Sequence, residues 1–142
     1  MSYSGAKKVF SPSLHSKRRT LTSTILIVMA GMMGAAGVVL AAAGAHVTAG
    51  SGLDSAAYML LFHGVAVLGG AALLEQGQLW RPMALVALAG LVLGASLFSC
   101  DIALRVFVGQ RLFAMAAPAG GTILIAAWLT LAVAAMVALV RR

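Results

Sequence analysis

The chain has 142 residues, 62% of them hydrophobic and 9% charged, with a mean hydropathy of +1.04, far from the roughly one-half apolar and one-quarter charged balance of soluble domains. Positions 20–53, 55–74, 82–100 and 112–140 carry no Lys, Arg, Asp or Glu, and each stretch is long enough to hold the roughly 20 helical residues that cross a hydrocarbon core about 30 Å thick. The expected fold is an all-α membrane protein with four transmembrane helices in an up-down bundle, which leaves no room for a large soluble catalytic domain.

Residues 1–20 are rich in Ser and Lys, include Pro12 and lack apolar periodicity. They read as a flexible, basic cytoplasmic tail ahead of a four-helix domain over 21–142. The first predicted span covers about 24–45. Arg18-Arg19 resembles a twin-arginine start and Ala43-Gly44-Ala45 a cleavage site, but the apolar stretch is longer than a 7–15-residue signal core and three spans follow, so the segment is expected to stay. Gly50-Ser51-Gly52 marks a turn, and the second span runs over about 56–74. Glu75 to Pro82 is a compact connector into a third span over about 83–106, with Pro82 where a missing N–H costs little. Gly109, Gln110 and Arg111 form the next turn. Pro118 predicts a kink or interfacial stretch up to Ala117 before a last helix over about 119–139.

The net charge is +7, from ten basic and three acidic residues. With the N-terminus inside, eight Lys and Arg lie at cytoplasmic helix ends, five of them in the tail, and only Arg105 and Arg111 lie outside. This places both termini in the cytoplasm by the positive-inside rule. The tail suits anionic headgroups, and with few aromatics and no binding motif it gives no reason to expect nucleic acid. Cys100 is the only cysteine, so an intrachain disulfide and a cysteine-built zinc or iron–sulfur site are excluded.

Lipid is as apolar as leucine, so small residues must supply much of the attraction between helices. Gly37, Ala41 and Gly44 share one face of the first helix, Gly90 and Gly94 form a GxxxG pair on the third, and Gly69-Gly70 and Gly120-Gly121 make narrow places on the second and fourth. Gly90, Gly94, Leu97, Asp101 and Arg105 fall at steps of 4, 3, 4 and 4, so the small and the charged faces of the third helix coincide. That face should point inward, because Asp101 against lipid would cost at least about 2.5 kcal/mol.

Antiparallel threading brings His46, Tyr58, His63, Asp101 and Arg105 to similar depths in the outer half of the bilayer, a candidate intramembrane polar cluster. Asp101 and Arg105, at i and i+4, can pair as a structural clamp, and His63 can equally be a hydrogen-bonded core residue. The third helix offers no ionisable group between Met83 and Leu97, so a proton path would be incomplete. Haem ligation by His46 and His63 suffers from their different depths, and Met29, Met32 and Met33 suit gap filling better than copper. Trp80 reads as an interfacial anchor and Trp128 as a packing residue. GxGxxG, HExxH, GxSxG and Walker patterns are absent, so neither a cofactor nor an enzyme activity is expected.

The string Gly37 to His46, then Tyr58 with His63, Leu97-Phe98-Ser99, Pro118-Ala119-Gly120-Gly121 and Trp128 together resemble the YgdD/YwdK-type family of small inner-membrane proteins, over roughly residues 27–136. The resemblance implies a four-helix protein of unassigned activity in a bacterial inner membrane, with Gly44, His46, Tyr58, His63, Phe98, Ser99, Pro118, Gly120, Gly121 and Trp128 at its motif positions. The charged pair Asp101 and Arg105 departs from the pattern it implies. The resulting expectation is a non-enzymatic accessory or assembly subunit, in contact with membrane lipids and with other integral subunits or further copies of itself. The alternative is a small transporter or a binder of a proton, quinone or lipid headgroup that uses His63 and Asp101.

Overall fold

The computed structural model describes residues 14–46 and 51–141, with side chains from residue 21 onward. Four helices account for nearly all of it: α1 Leu14–His46, α2 Leu53–Glu75, α3 Arg81–Val108 and α4 Ala116–Val140. Each contains a stretch long and apolar enough to cross a membrane. They form a four-helix bundle, and the described residues hold no strand.

The helix starts differ from the expected boundaries for local reasons. α1 begins at Leu14, so residues 14–20, assigned to the tail, are helical; Lys and Arg are good helix formers, and an apolar helix already nucleated downstream extends through them at little cost. The rest of the tail, and Gly50 of the first turn, lie outside the described residues. α2 starts at Leu53, directly after Gly52, whose φ of 83° places it in the left-handed region that glycine enters without a Cβ clash. α4 starts at Ala116 and carries Pro118 inside its first turn, where the ring needs no N–H partner, so no separate kinked stretch precedes it.

α1 and α2 make one antiparallel hairpin and α3 and α4 another, joined by the packing of α2 on α3, with a light touch of α1 on α3. Among the described residues, α4 packs its backbone closely on α3 alone. One end of the bundle holds the α2–α3 connection and the end of α4, where the backbone N–H of Trp80 donates to the Ala134 carbonyl at 3.0 Å. The opposite end holds the α1–α2 and α3–α4 connections.

The interior is built from a few large side chains, Leu53, Val67, Leu88 and Leu91, set among fully enclosed alanines such as Ala56, Ala84, Ala87, Ala95 and Ala134. Such small side chains let helix backbones approach. A Cβ at Gly94 would stand 2.8 Å from the Gly120 carbonyl oxygen, and one at Gly120 would stand 2.7 Å from the Gly94 oxygen and 2.8 Å from the Phe98 nitrogen. At Gly90 it would meet the Ala127 methyl at 2.9 Å. Gly37 faces Leu61, Gly44 faces Asp54, and two further glycines, Gly64 and Gly70, face Ala30 and Leu88. Gly69 and Gly121 have open space where a Cβ would go, so only one glycine of each pair meets a neighbour. Ala41 is half-buried on α1.

Candidate functional site

Asp101 is the most enclosed charged residue described, with 2% of its surface accessible. It lies two turns before the end of α3, on the face that continues Gly94 toward α4. One carboxylate oxygen, Oδ2, accepts from Arg105 Nη2 at 2.6 Å along the helix. The other, Oδ1, accepts the backbone N–H of Leu112 at 3.0 Å, eleven residues further on. Charge-assisted bonds of this kind are short and about twice as strong as neutral ones. Asp101 therefore ties the end of α3 to the loop leading into α4; the expected clamp between helices is a clamp between a helix and its following loop. Gly109 lets the chain leave α3 for that loop, with φ 70° and its N–H on the Arg105 carbonyl at 3.2 Å.

His63 takes no part in this arrangement. Its Nδ1 lies 2.7 Å from the Met59 carbonyl one turn earlier on α2, and its Nε2 accepts the indole N–H of Trp128 at 3.3 Å. The two rings are tilted by 59° with centroids 6.3 Å apart. A carbonyl on one nitrogen and a donor on the other match the neutral tautomer with its proton on Nδ1. The indole thus connects α2 to α4 across two helices whose backbones stand apart, a polar task beyond the packing role expected of Trp128.

Of the five residues proposed as one polar cluster, the structure brings together Asp101 and Arg105. His63 pairs elsewhere, Tyr58 faces outward and tilts against Phe62 at 6.2 Å, and His46 is exposed at the end of α1. Helix length alone does not bring side chains together, because contact also depends on how each helix is rotated about its axis. Ser99 supplies a bond outside that cluster: its hydroxyl, 1% accessible, donates to the Ala56 carbonyl at 2.9 Å and fastens α3 to α2. Every buried side-chain nitrogen and oxygen among the described residues has a hydrogen-bond partner, and no three His, Cys, Asp or Glu side chains converge there.

Two recesses flank the Asp101–Arg105 pair. The larger, about 500 Å³, is lined by Phe98, Asp101, Arg105, Arg111, Met115 and Pro118 among others. The smaller, about 310 Å³, lies against Ser51, Ser55 and Ile102, and shares Phe98 and Arg105 with the first. At the opposite end of the bundle charge is handled at the surface: Ser23 and Arg81 both reach Glu75, the latter at 3.6 Å, and the Arg141 guanidinium stands 4.6 Å over the Trp80 ring. Trp80, expected as an interfacial anchor, is thus paired with a cation as well as hydrogen-bonded through its backbone to α4.

Neither the curated proteins nor the solved structures contain a match to this chain. A family model does match, over residues 40–121, a segment running from the end of α1 through Ser99, Asp101 and the loop they help hold to the Gly120-Gly121 pair. That segment is more than half of the chain and covers the principal polar contacts described above apart from Trp128; the protein belongs to the family described as protein of unknown function (DUF423).

Proposed function

We propose that this protein is a non-catalytic, multi-pass subunit of a bacterial inner membrane, with both termini in the cytoplasm, that assists a larger membrane complex by packing laterally against it. The observation that carries the reading is the use of polar groups: His63, Ser99 and Asp101 are each spent on bonds within the chain. A group poised for proton transfer or substrate capture usually keeps a hydrogen-bonding atom unpaired, whereas every buried side-chain nitrogen and oxygen among the described residues has a partner. The broad outward faces of α1 and α4, the two helices with the smaller buried shares, supply the area for lateral association. The excess of Lys and Arg at one end of the helices supports the orientation. The finer placement among YgdD/YwdK-type proteins belongs to the same proposal and rests on the motif strings over residues 27–136.

Extraction of the tagged, chromosomally expressed protein in a mild detergent, followed by native mass spectrometry, tests the reading. Co-migration with a defined larger membrane complex is the expected result. Recovery only as an isolated monomer or homo-oligomer, in detergents that leave other complexes intact, overturns it.

A further inference from the structure

We infer that the larger recess, at the junction of α3 and α4, is a binding site for a phosphate-bearing amphiphile, with Arg105 and Arg111 as the anion-recognising pair. The charge arrangement points that way. Two guanidinium groups and one carboxylate line the same cavity, and both oxygens of that carboxylate are already engaged, one by Arg105 and one by the Leu112 N–H. The recess therefore presents a net positive charge whose negative member faces its own protein. Arg105 spends one donor on Asp101 and is held in place by it, leaving the rest of its planar fork for a ligand. Arg111 stands exposed on the loop that Asp101 pins, one residue before Leu112, and makes no hydrogen bond or ion pair with the described residues.

The remaining wall is apolar. Phe98, Met115 and Pro118 complete the recess, so a ligand seated there would meet two cations at one end and hydrocarbon at the other. The first turn of α4 opens on the same recess through Ala117, and Met115, its N-terminal cap, provides no side-chain acceptor. The positive end of the helix thus adds to the field of the two arginines. Phosphate suits a pair of guanidinium groups because it accepts two-pronged hydrogen bonds. The same chemistry is offered by a phospholipid headgroup and by free phosphate, and a volume of about 500 Å³ accommodates either. The inference does not depend on the proposed accessory role, and each can fail alone.

The test uses the full chain in nanodiscs of phosphatidylcholine carrying a photoactivatable phosphatidylglycerol, with adducts mapped by mass spectrometry. Labelling is expected over residues 98–121, and Arg111→Gln should lower it by about tenfold, the loss of one strong charge-assisted contact. Arg111 holds nothing else in place, so that variant keeps the fold. Arg141→Gln, at the opposite end of the bundle, should leave labelling of 98–121 unchanged. Adding inorganic phosphate separates the sources: protection of the segment by millimolar phosphate assigns the site to a soluble anion, and labelling that persists assigns it to the lipid. Labelling by phosphatidylglycerol that Arg111→Gln does not reduce overturns the proposal.

Discussion

The two hairpins are built from the same materials and closed in different ways. In α1–α2 the closest approaches to a glycine come from side chains, Leu61 at Gly37 and Asp54 at Gly44, and the backbone contact of Gly64 with the Ala30 carbonyl is looser, at 3.2 Å. In α3–α4 Gly94 and Gly120 meet backbone to backbone, and a buried carboxylate then bonds the loop that joins the two helices. A side chain can turn aside to make room, whereas a backbone carbonyl moves only with its helix. The second hairpin should therefore be the less tolerant of substitution, and the site proposed for phosphate is built on this stiffer half.

Breaking the carboxylate's ion pair gives the largest expected effect. Asp101 is almost wholly enclosed, while the Arg105 side chain is 39% exposed, so the two partners are not equivalent. Arg105→Ala strands a buried negative charge and should cost about 3 kcal/mol of unfolding free energy in detergent, the low end for a broken buried pair. The double variant Asp101→Ala with Arg105→Ala removes the stranded charge and should recover part of that loss. Denaturant titration of the three proteins decides the matter; a double variant less stable than Arg105→Ala would mean that the loop bond to Leu112, rather than the ion pair, dominates.

Adding one methyl to each hairpin sharpens the contrast. At Gly120 the new carbon would lie under 3.0 Å from two backbone atoms of α3, and α3 and α4 must separate, at a cost of about 2 kcal/mol. At Gly37 the closest atom belongs to Leu61, which is only half-buried and can re-orient, although the Ala57 carbonyl at 3.2 Å limits the relief. Gly37→Ala should cost about 1 kcal/mol, the mild end of overpacking. Thermal melting of both variants in the same detergent measures the difference, and equal losses would remove the distinction between a helix pair closed on side chains and one closed on backbone.

How far these contacts could be read from the sequence follows from their physical origin. The spans were legible because charge is expensive in hydrocarbon, so each interval without Lys, Arg, Asp or Glu marks a helix. The Asp101–Arg105 pair was legible because i, i+4 spacing fixes the neighbours on one helix face. The bond to Leu112 was not, since every residue but proline carries a backbone N–H and nothing in the type Leu marks this one as a donor. The Trp128 bond to His63 joins positions 65 residues apart and depends on the rotation of both helices, a quantity that depth alone leaves open. Gly64 carried too little signal for the opposite reason: glycine is common in membrane helices, and a single one without a partner at i+4 stands out from none of the others.

The smallest effect belongs to Gly121, next to Gly120 and of the same residue type. No atom lies within 4 Å of where its Cβ would be, so Gly121→Ala meets no steric opposition. Alanine also leaves the unfolded chain less freedom and favours the helix, which in an exposed helix interior is worth about 0.5–1 kcal/mol. In α4 the gain should be smaller, because a helix surrounded by hydrocarbon already has every reason to keep its backbone bonds formed. A melting temperature equal to or slightly above that of the unmodified protein is expected for Gly121→Ala, beside a clear fall for Gly120→Ala. Since the two positions differ by 100° of rotation about one helix axis, a fall at both would mean that α4 is turned differently against α3, and with it the Trp128 indole and the wall formed by Pro118.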